Sequence, residues 1–209
     1  MKADILELDV HLSKDGEIIV IHDDLIDRTT DGMGKVCDYT LEELRSWDAG
    51  SWFDTQFAGE KIPTLREVLE LCKGKVGLLI EIKNPLLYPD IELQLADELK
   101  ASGVALTEMI VQSFDSEVIK RFHKILPEVA VGILVFKEES CTRERIMEYA
   151  AYCTYMNASL KIVNAEIVNM IHSQHMKIFP WTVRAREQAQ PLIDMGVDGI
   201  ITDYPDYIL

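Results

Sequence analysis

The segment DILELDV (4–10) sets two carboxylates two residues apart, Glu7 and Asp9, and KVGLLIEIKNP (75–85) sets Glu81 two residues before Lys83. Successive side chains of an extended strand point to opposite faces. Leu6, Leu8 and Val10 therefore share one face of the first strand, with Ile5, Glu7 and Asp9 on the other; in the second, Leu78, Ile80 and Ile82 oppose Leu79, Glu81 and Lys83. If the apolar faces meet helices, three carboxylates and one ammonium point inward at the ends of two strands, where unpaired charge is costly unless a cation compensates it. Three converging carboxylates suit a hard divalent ion such as Ca²⁺ or Mg²⁺, which takes oxygen ligands and leaves positions for a substrate phosphate. A structural ion-pair network around Lys83 is the competing reading of the same residues. Lys83 itself could compensate charge or bind phosphate.

His22 follows the apolar run EIIVI and precedes Asp23 and Asp24. Lys14-Asp15-Gly16 supplies turn chemistry between two apolar runs, so HLSKDGEIIVIHDD reads as a hairpin that returns His22 alongside Leu8 and Asp9. An imidazole placed there could act as general acid or base at neutral pH; the alternative is a solvated turn residue. His11 shares the parity of Glu7 and Asp9 but lies in a hairpin arm and reads as structural. His123, His172 and His175 read as surface residues without partners. Near the end of the chain, Trp181 in KIFPWTV is either a core aromatic or an apolar wall beside a small alcohol or polyol. Asp203 ends the last strand, and a cap on the Tyr204-Pro205 turn is the favoured reading for it.

These residues need a scaffold. Strand patterns at Asp4–Val10, Val76–Ile82, Met109–Gln112, Val129–Val135, Tyr155–Ala158, Lys177–Val183 and Gly199–Thr202 are spaced by amphipathic segments at Leu65–Leu71, Ile91–Lys100, Ser116–Lys124, Arg143–Tyr152, Glu166–Ser173 and Arg186–Met195. That alternation predicts an α/β fold with a parallel sheet, and seven strands fall one short of a (β/α)8 barrel. The chain also opens abruptly into a strand, so the first strand and helix of such a barrel are expected upstream of Met1. Residues 11–63 break the alternation, with one short helical pattern at Thr40–Trp47. They read as a small insertion over the C-terminal mouth of a single barrel domain spanning 1–209, the mouth being where this fold carries its chemistry.

Of 209 residues, 36 are Asp or Glu and 21 are Lys or Arg, a net charge of −15. Such a field repels nucleic acid and anionic membranes, and an anionic substrate would need local compensation, which a bound divalent ion supplies economically. No stretch has the length and apolarity of a membrane span, so stable membrane insertion is not expected. The four cysteines, Cys37, Cys72, Cys141 and Cys153, lack ligand spacing and read as reduced, buried thiols of a cytoplasmic protein. Exposed strand edges would offer a route to homo-oligomers.

The runs ILELDVHLSKDGEIIVIHDDLIDRTTDGMGKV, IPTLREVLEL, LLIEIKNP, VQSFDSEVIKRF, FPWTV and GVDGIITDYPD together resemble the glycerophosphodiester phosphodiesterase family along nearly the whole chain. The resemblance implies a TIM barrel of the phospholipase C-like phosphodiesterase type, with a small insertion after its second strand. It implies metal-dependent hydrolysis of a small-molecule glycerophosphodiester to sn-glycerol 3-phosphate and an alcohol. By motif, Glu7, Asp9 and Glu81 would be metal ligands, His22 a catalytic acid/base, and Lys83 and Trp181 contacts to phosphate and glycerol. The family's His-Arg-Gly motif and the turn that follows it are absent from this sequence, so impaired chemistry is expected of the chain as it stands. A noncatalytic metal- and phosphate-binding barrel and a lipid-directed phosphodiesterase of the same superfamily are the rival readings.

Overall fold

The structure, a computed structural model, describes residues 3–208. The chain divides into two compact units, Leu6–Met109 and the residues from Ile110 onward together with the few before Leu6.

In the first unit, β1 (Ile5–Leu12) and β2 (Ile18–Val20) form the expected antiparallel hairpin, with His11 opposite Ile19 and Leu12 opposite Ile18. Gly16 at φ +84° makes the turn, a conformation in which a side chain would be strained. β3 (Gly77–Ile82) lies on the other side of β1, and the Lys83 amide donates to the Val10 carbonyl at 3.2 Å. Leu8, Val10, Leu78, Ile80 and Ile82 of the expected apolar faces are buried, whereas Leu6, near the start of β1, is 43% exposed; the opposite faces are buried as well over most of both strands.

Between β2 and the next helix the chain builds a small core of its own from Ile19, Ile21, Ile26, Val36, Leu44 and Ile62, with Tyr39 and Trp47 against it. Only α1 (Leu41–Leu44) is helical by the α pattern there. α2 (Leu65–Cys72) and α3 (Ile91–Ala101) follow within two residues of their expected ends.

The entry to α2 shows how local chemistry sets a boundary. The Thr64 hydroxyl accepts from the Glu67 amide while the Glu67 carboxylate accepts from the Thr64 amide, a reciprocal capping box, and Arg45 pairs with Glu67 from outside. Thr64→Ala is expected to cost about 1 kcal/mol, read as a lower midpoint in urea denaturation at unchanged slope. An unmoved midpoint would show that the cap contributes nothing here.

In the second unit, β4 (Met109–Ser113), β5 (Ala130–Val135) and β6 (Tyr155–Ala158) run parallel, with Val111 opposite Val131 and Ile133 opposite Met156. The helices α4 (Ser116–Ile125), α5 (Arg143–Ala150), α6 (Ala165–Ser173), α7 (Arg186–Asp194) and α8 (Pro205–Ile208) punctuate them. Apolar residues at helical spacing, such as Val118, Ile119 and Phe122 in α4, are buried and explain that periodicity.

The last two expected strands are not regular ladders. Residues 177–183 and 199–202 pair with their neighbours at isolated parallel bridges, Tyr155 to Lys177, Ser159 to Trp181 and Val183 to Thr202, in place of continuous ladders. A side chain substitutes for part of the missing ladder. Asn157, fully buried on β6, accepts the Phe179 amide on its Oδ1 and donates from Nδ2 to Gln112 Oε1 on β4.

Candidate active site

Glu7 and Asp9 project from β1 and Glu81 from β3, and one oxygen of each lies within 4.8 Å of the others. Asp9 and Glu81 are buried, at 7% and 5% exposure. Lys83 Nζ sits 3.1 Å from Asp9 Oδ1 and 2.9 Å from Glu81 Oε1. Two of the three carboxylates thus share one ammonium. Burial pushes the Glu81 carboxyl up to about 7; Lys83 pulls it down and Asp9 pushes it up further. Glu81 Oε1 is enclosed, and the Lys83 ammonium at 2.9 Å compensates its charge. A compact, oxygen-only donor set with more negative charge than its one lysine offsets is the chemistry a hard divalent cation requires. The residues fit such an ion.

The hairpin brings His22 back as its register demands: the Ile21 amide donates to the Asp9 carbonyl at 3.2 Å, one step beyond the pairing of Val10 with Val20. The His22 ring is largely exposed, and its Nδ1 lies 2.5 Å from Asp23 Oδ1. Arg28 Nε donates to the other Asp23 oxygen at 2.6 Å. That contact is the main cause holding the Asp23 carboxyl down to about 2; desolvation opposes it, and the His22 ring adds a lesser downward pull. An ionised carboxylate only accepts, so Nδ1 carries a proton and Nε2 is the ring nitrogen at which a proton can be exchanged.

Because the folded carboxyl is depressed below its ordinary 3.8, the stability it contributes is complete above that value and is lost as pH falls through about 2. Arg28→Met is expected to move the Asp23 titration back toward the ordinary range, measured by NMR of its side-chain carboxyl carbon. A titration that stays low would remove Arg28 as the cause.

Sequence reasoning assigned His11 a structural place, and the structure shows what it holds. The ring is buried, 3.0 Å from the Tyr88 hydroxyl through Nδ1 and 3.4 Å from the His22 carbonyl through Nε2. Burial lowers its pKa and keeps it neutral. Asn84, in a left-handed conformation just after β3, donates to Asp24. Tyr88, Asn84 and Arg28 were not singled out in the sequence, because strand and helix periodicity does not encode their contacts to His11, Asp24 and Asp23.

Trp181 lies in the other unit. Its indole N–H donates to the Asn157 carbonyl at 2.9 Å, and its ring meets Phe114 edge to face at 5.6 Å. Three expectations need correction. Asp203 does not cap the turn at Tyr204: the Thr202 hydroxyl accepts that amide, and Asp203 instead accepts from Arg184 Nε at 2.8 Å. His172 is not without a partner, because Asp198 lies 3.0 Å from its Nε2. All four cysteines are free thiols, but Cys37, unlike the other three, is only partly buried.

The sequence profile of the glycerophosphoryl diester phosphodiesterase family matches residues 1–207. The chain belongs to that family. A glycerophosphodiester phosphodiesterase of Caldanaerobacter subterraneus is 41% identical over 212 residues, covering 99% of this chain and 85% of that protein. One from Bacillus subtilis is 37% identical over 221 residues, covering 99% and 75%. Among solved structures, an Oleispira antarctica phosphodiesterase in complex with the product sn-glycerol-3-phosphate superposes with a TM-score of 0.87 at 29% identity, covering 97% of this chain and 82% of that one. Membership in the glycerophosphoryl diester phosphodiesterase family makes the chain an enzyme of the phosphoric diester hydrolase class, and the likeness to solved family members establishes the α/β, TIM-barrel fold class. No helix among the described residues of this family member is long and apolar enough to cross a membrane.

Proposed function

We propose that the chain hydrolyses glycerophosphodiesters to sn-glycerol 3-phosphate and an alcohol, with a divalent ion, Mg²⁺ or Ca²⁺, held by Glu7, Asp9 and Glu81. The convergence of those three carboxylates carries the reading, and the names of the relatives and the product bound in the Oleispira structure support it. When bound, the ion would supply charge stabilisation at the phosphoryl oxygens.

The chain's own residues do the rest. Lys83, tied between Asp9 and Glu81, fixes the carboxylate geometry and offers its ammonium to a phosphate oxygen. His22 exchanges a proton at Nε2 while Asp23 holds Nδ1 and Arg28 keeps Asp23 ionised. Trp181 presents an apolar wall to the carbon skeleton of the substrate, its indole fixed by the Asn157 carbonyl. Three buried thiols, with Cys141 pushed up to about 11 and Cys153 to about 12 by burial, support residence in a reducing, cytoplasmic compartment. The substrate is a small molecule, and a net charge of −15 disfavours nucleic acid.

Incubation with glycerophosphoethanolamine and Mg²⁺, followed by enzymatic detection of glycerol 3-phosphate, tests the reaction. Chelation should stop release and added Mg²⁺ or Ca²⁺ should restore it. Absence of release with either ion would overturn the reading.

A further inference from the structure

The His22 ring is largely exposed and bonds to Asp23, its own neighbour in the chain, which in turn bonds to Arg28 nearby, so these contacts tie the ring to a single turn of chain. The backbone must hold it in place. The strand pairing ends just before His22, with the Ile21 amide on the Asp9 carbonyl, and resumes two residues beyond, where the Asp24 carbonyl accepts from the Val36 amide at 2.9 Å. Between them the His22 carbonyl faces Nε2 of the buried His11 at 3.4 Å.

A carbonyl only accepts, so His11 Nε2 carries the ring proton. Burial keeps that ring neutral, and Nδ1 therefore has a lone pair, which accepts from the Tyr88 hydroxyl 3.0 Å away. Tyr88 is suited to donate: it is buried, burial pushes its phenol up so that it keeps its proton, and its ring meets the imidazole edge to face at 5.5 Å. The other tautomer of His11 also has a partner waiting. Asp24 Oδ1 is enclosed without a hydrogen-bond donor and lies 3.6 Å from the same Nδ1, while Asn84 occupies the other Asp24 oxygen. A proton moved to Nδ1 would turn toward Asp24, and Nε2 would then present a lone pair to the His22 carbonyl, two acceptors face to face. The Tyr88 hydroxyl opposes that exchange.

We infer that His11 and Tyr88 are positioning residues for His22: the Tyr88 hydroxyl selects the His11 tautomer, and the His11 Nε2–H holds the His22 carbonyl so that the exposed imidazole stays placed for proton transfer. The inference rests on the reading that His22 exchanges the proton. Tyr88 lies in the stretch that follows β3, so the same pair links the proton-transfer residue to the strand that carries Glu81 and Lys83.

Tyr88→Phe removes the hydroxyl and keeps the ring. ¹⁵N NMR of the His11 imidazole reads the tautomer without any need for activity: the proton is expected on Nε2 in the unmodified chain and on Nδ1 in Tyr88→Phe. Turnover should fall about tenfold, less than the roughly 100-fold that a full ångström of misplacement can cost, with KM and Mg²⁺ affinity near the parent's. His11→Gln supplies an amide donor that has no tautomers, so Tyr88→Phe added to it should lower turnover no further, whereas a hydroxyl that served packing alone would cost the same in both backgrounds. The spectrum and the Tyr88→Phe rate decide the matter even if His11→Gln fails to fold. Parent-like turnover in Tyr88→Phe overturns the inference, as does an equal further loss in the His11→Gln chain or a proton on Nδ1 in the unmodified chain. If His22→Ala itself turns over like the parent, the role of His22 falls and this inference falls with it.

Discussion

Glu81→Gln is expected to lower Mg²⁺ affinity by at least about 100-fold, since even residues that merely orient a metal ligand contribute 10- to 100-fold. The amide is isosteric but neutral, and a hard cation gains much less from it than from a carboxylate. Loss of binding through unfolding would be a trivial explanation, and the site's electrostatics separate the two. Glu81 is buried and its carboxyl is pushed well above the usual range, so its charge is costly without an ion. Lys83 keeps Asp9 as a partner at 3.1 Å after the substitution, so no buried ammonium is stranded. In chelator the Glu81→Gln chain should therefore melt no lower than its parent. Calorimetric titration with Mg²⁺ and a thermal melt in chelator read the two quantities. Affinity equal to the parent's would sink the metal assignment.

His22→Ala should lower turnover by roughly 10²–10⁴-fold, the usual contribution of a positioned proton-transfer group. Its ring is largely exposed and its side chain bonds to Asp23, a surface contact, so stability should hardly change. Mg²⁺ affinity should also stay near the parent's, because His22 is not among the clustered carboxylate donors. Asp23→Asn should produce a smaller loss, since an amide can hold the ring in the wrong tautomer. Turnover of His22→Ala equal to the parent's would make His22 a turn residue.

The part of this site legible in the sequence is the part that one strand can encode. Period-2 alternation in β1 and β3 separates Glu7, Asp9 and Glu81 from Leu8, Val10 and Ile80 without knowledge of the fold, and Lys14-Asp15-Gly16 fixes where the chain turns back. Helix ends were readable for a similar reason: Thr64 with Glu67, and Asp115 at the start of α4, are local capping signals. The pocket of the second unit lined by Phe114, Phe136, Ser159, Lys161 and Trp181 was not readable. These residues come from separate segments, and no period connects them. Asn157 and Gln112 look in sequence like polar faults in apolar strands; only the fold shows that their amides bond to each other and to the backbone of the irregular segment at Phe179. The last two strands were over-read because apolar alternation reports burial, and a segment can be buried while its backbone pairs only at isolated bridges.

The hairpin of β1 and β2 ties the spacing of the carboxylates to the place of His22 through a turn of four residues, Ser13 to Gly16. Side chains in a strand alternate, so gain or loss of one residue in that turn slips β2 by one step and reverses the face its residues present. Gain or loss of a single residue in this turn is thereby expected to be disfavoured, while gain or loss of two preserves the facing. In a library that varies the turn, functional members should cluster at even length differences from the parent, with the odd lengths empty.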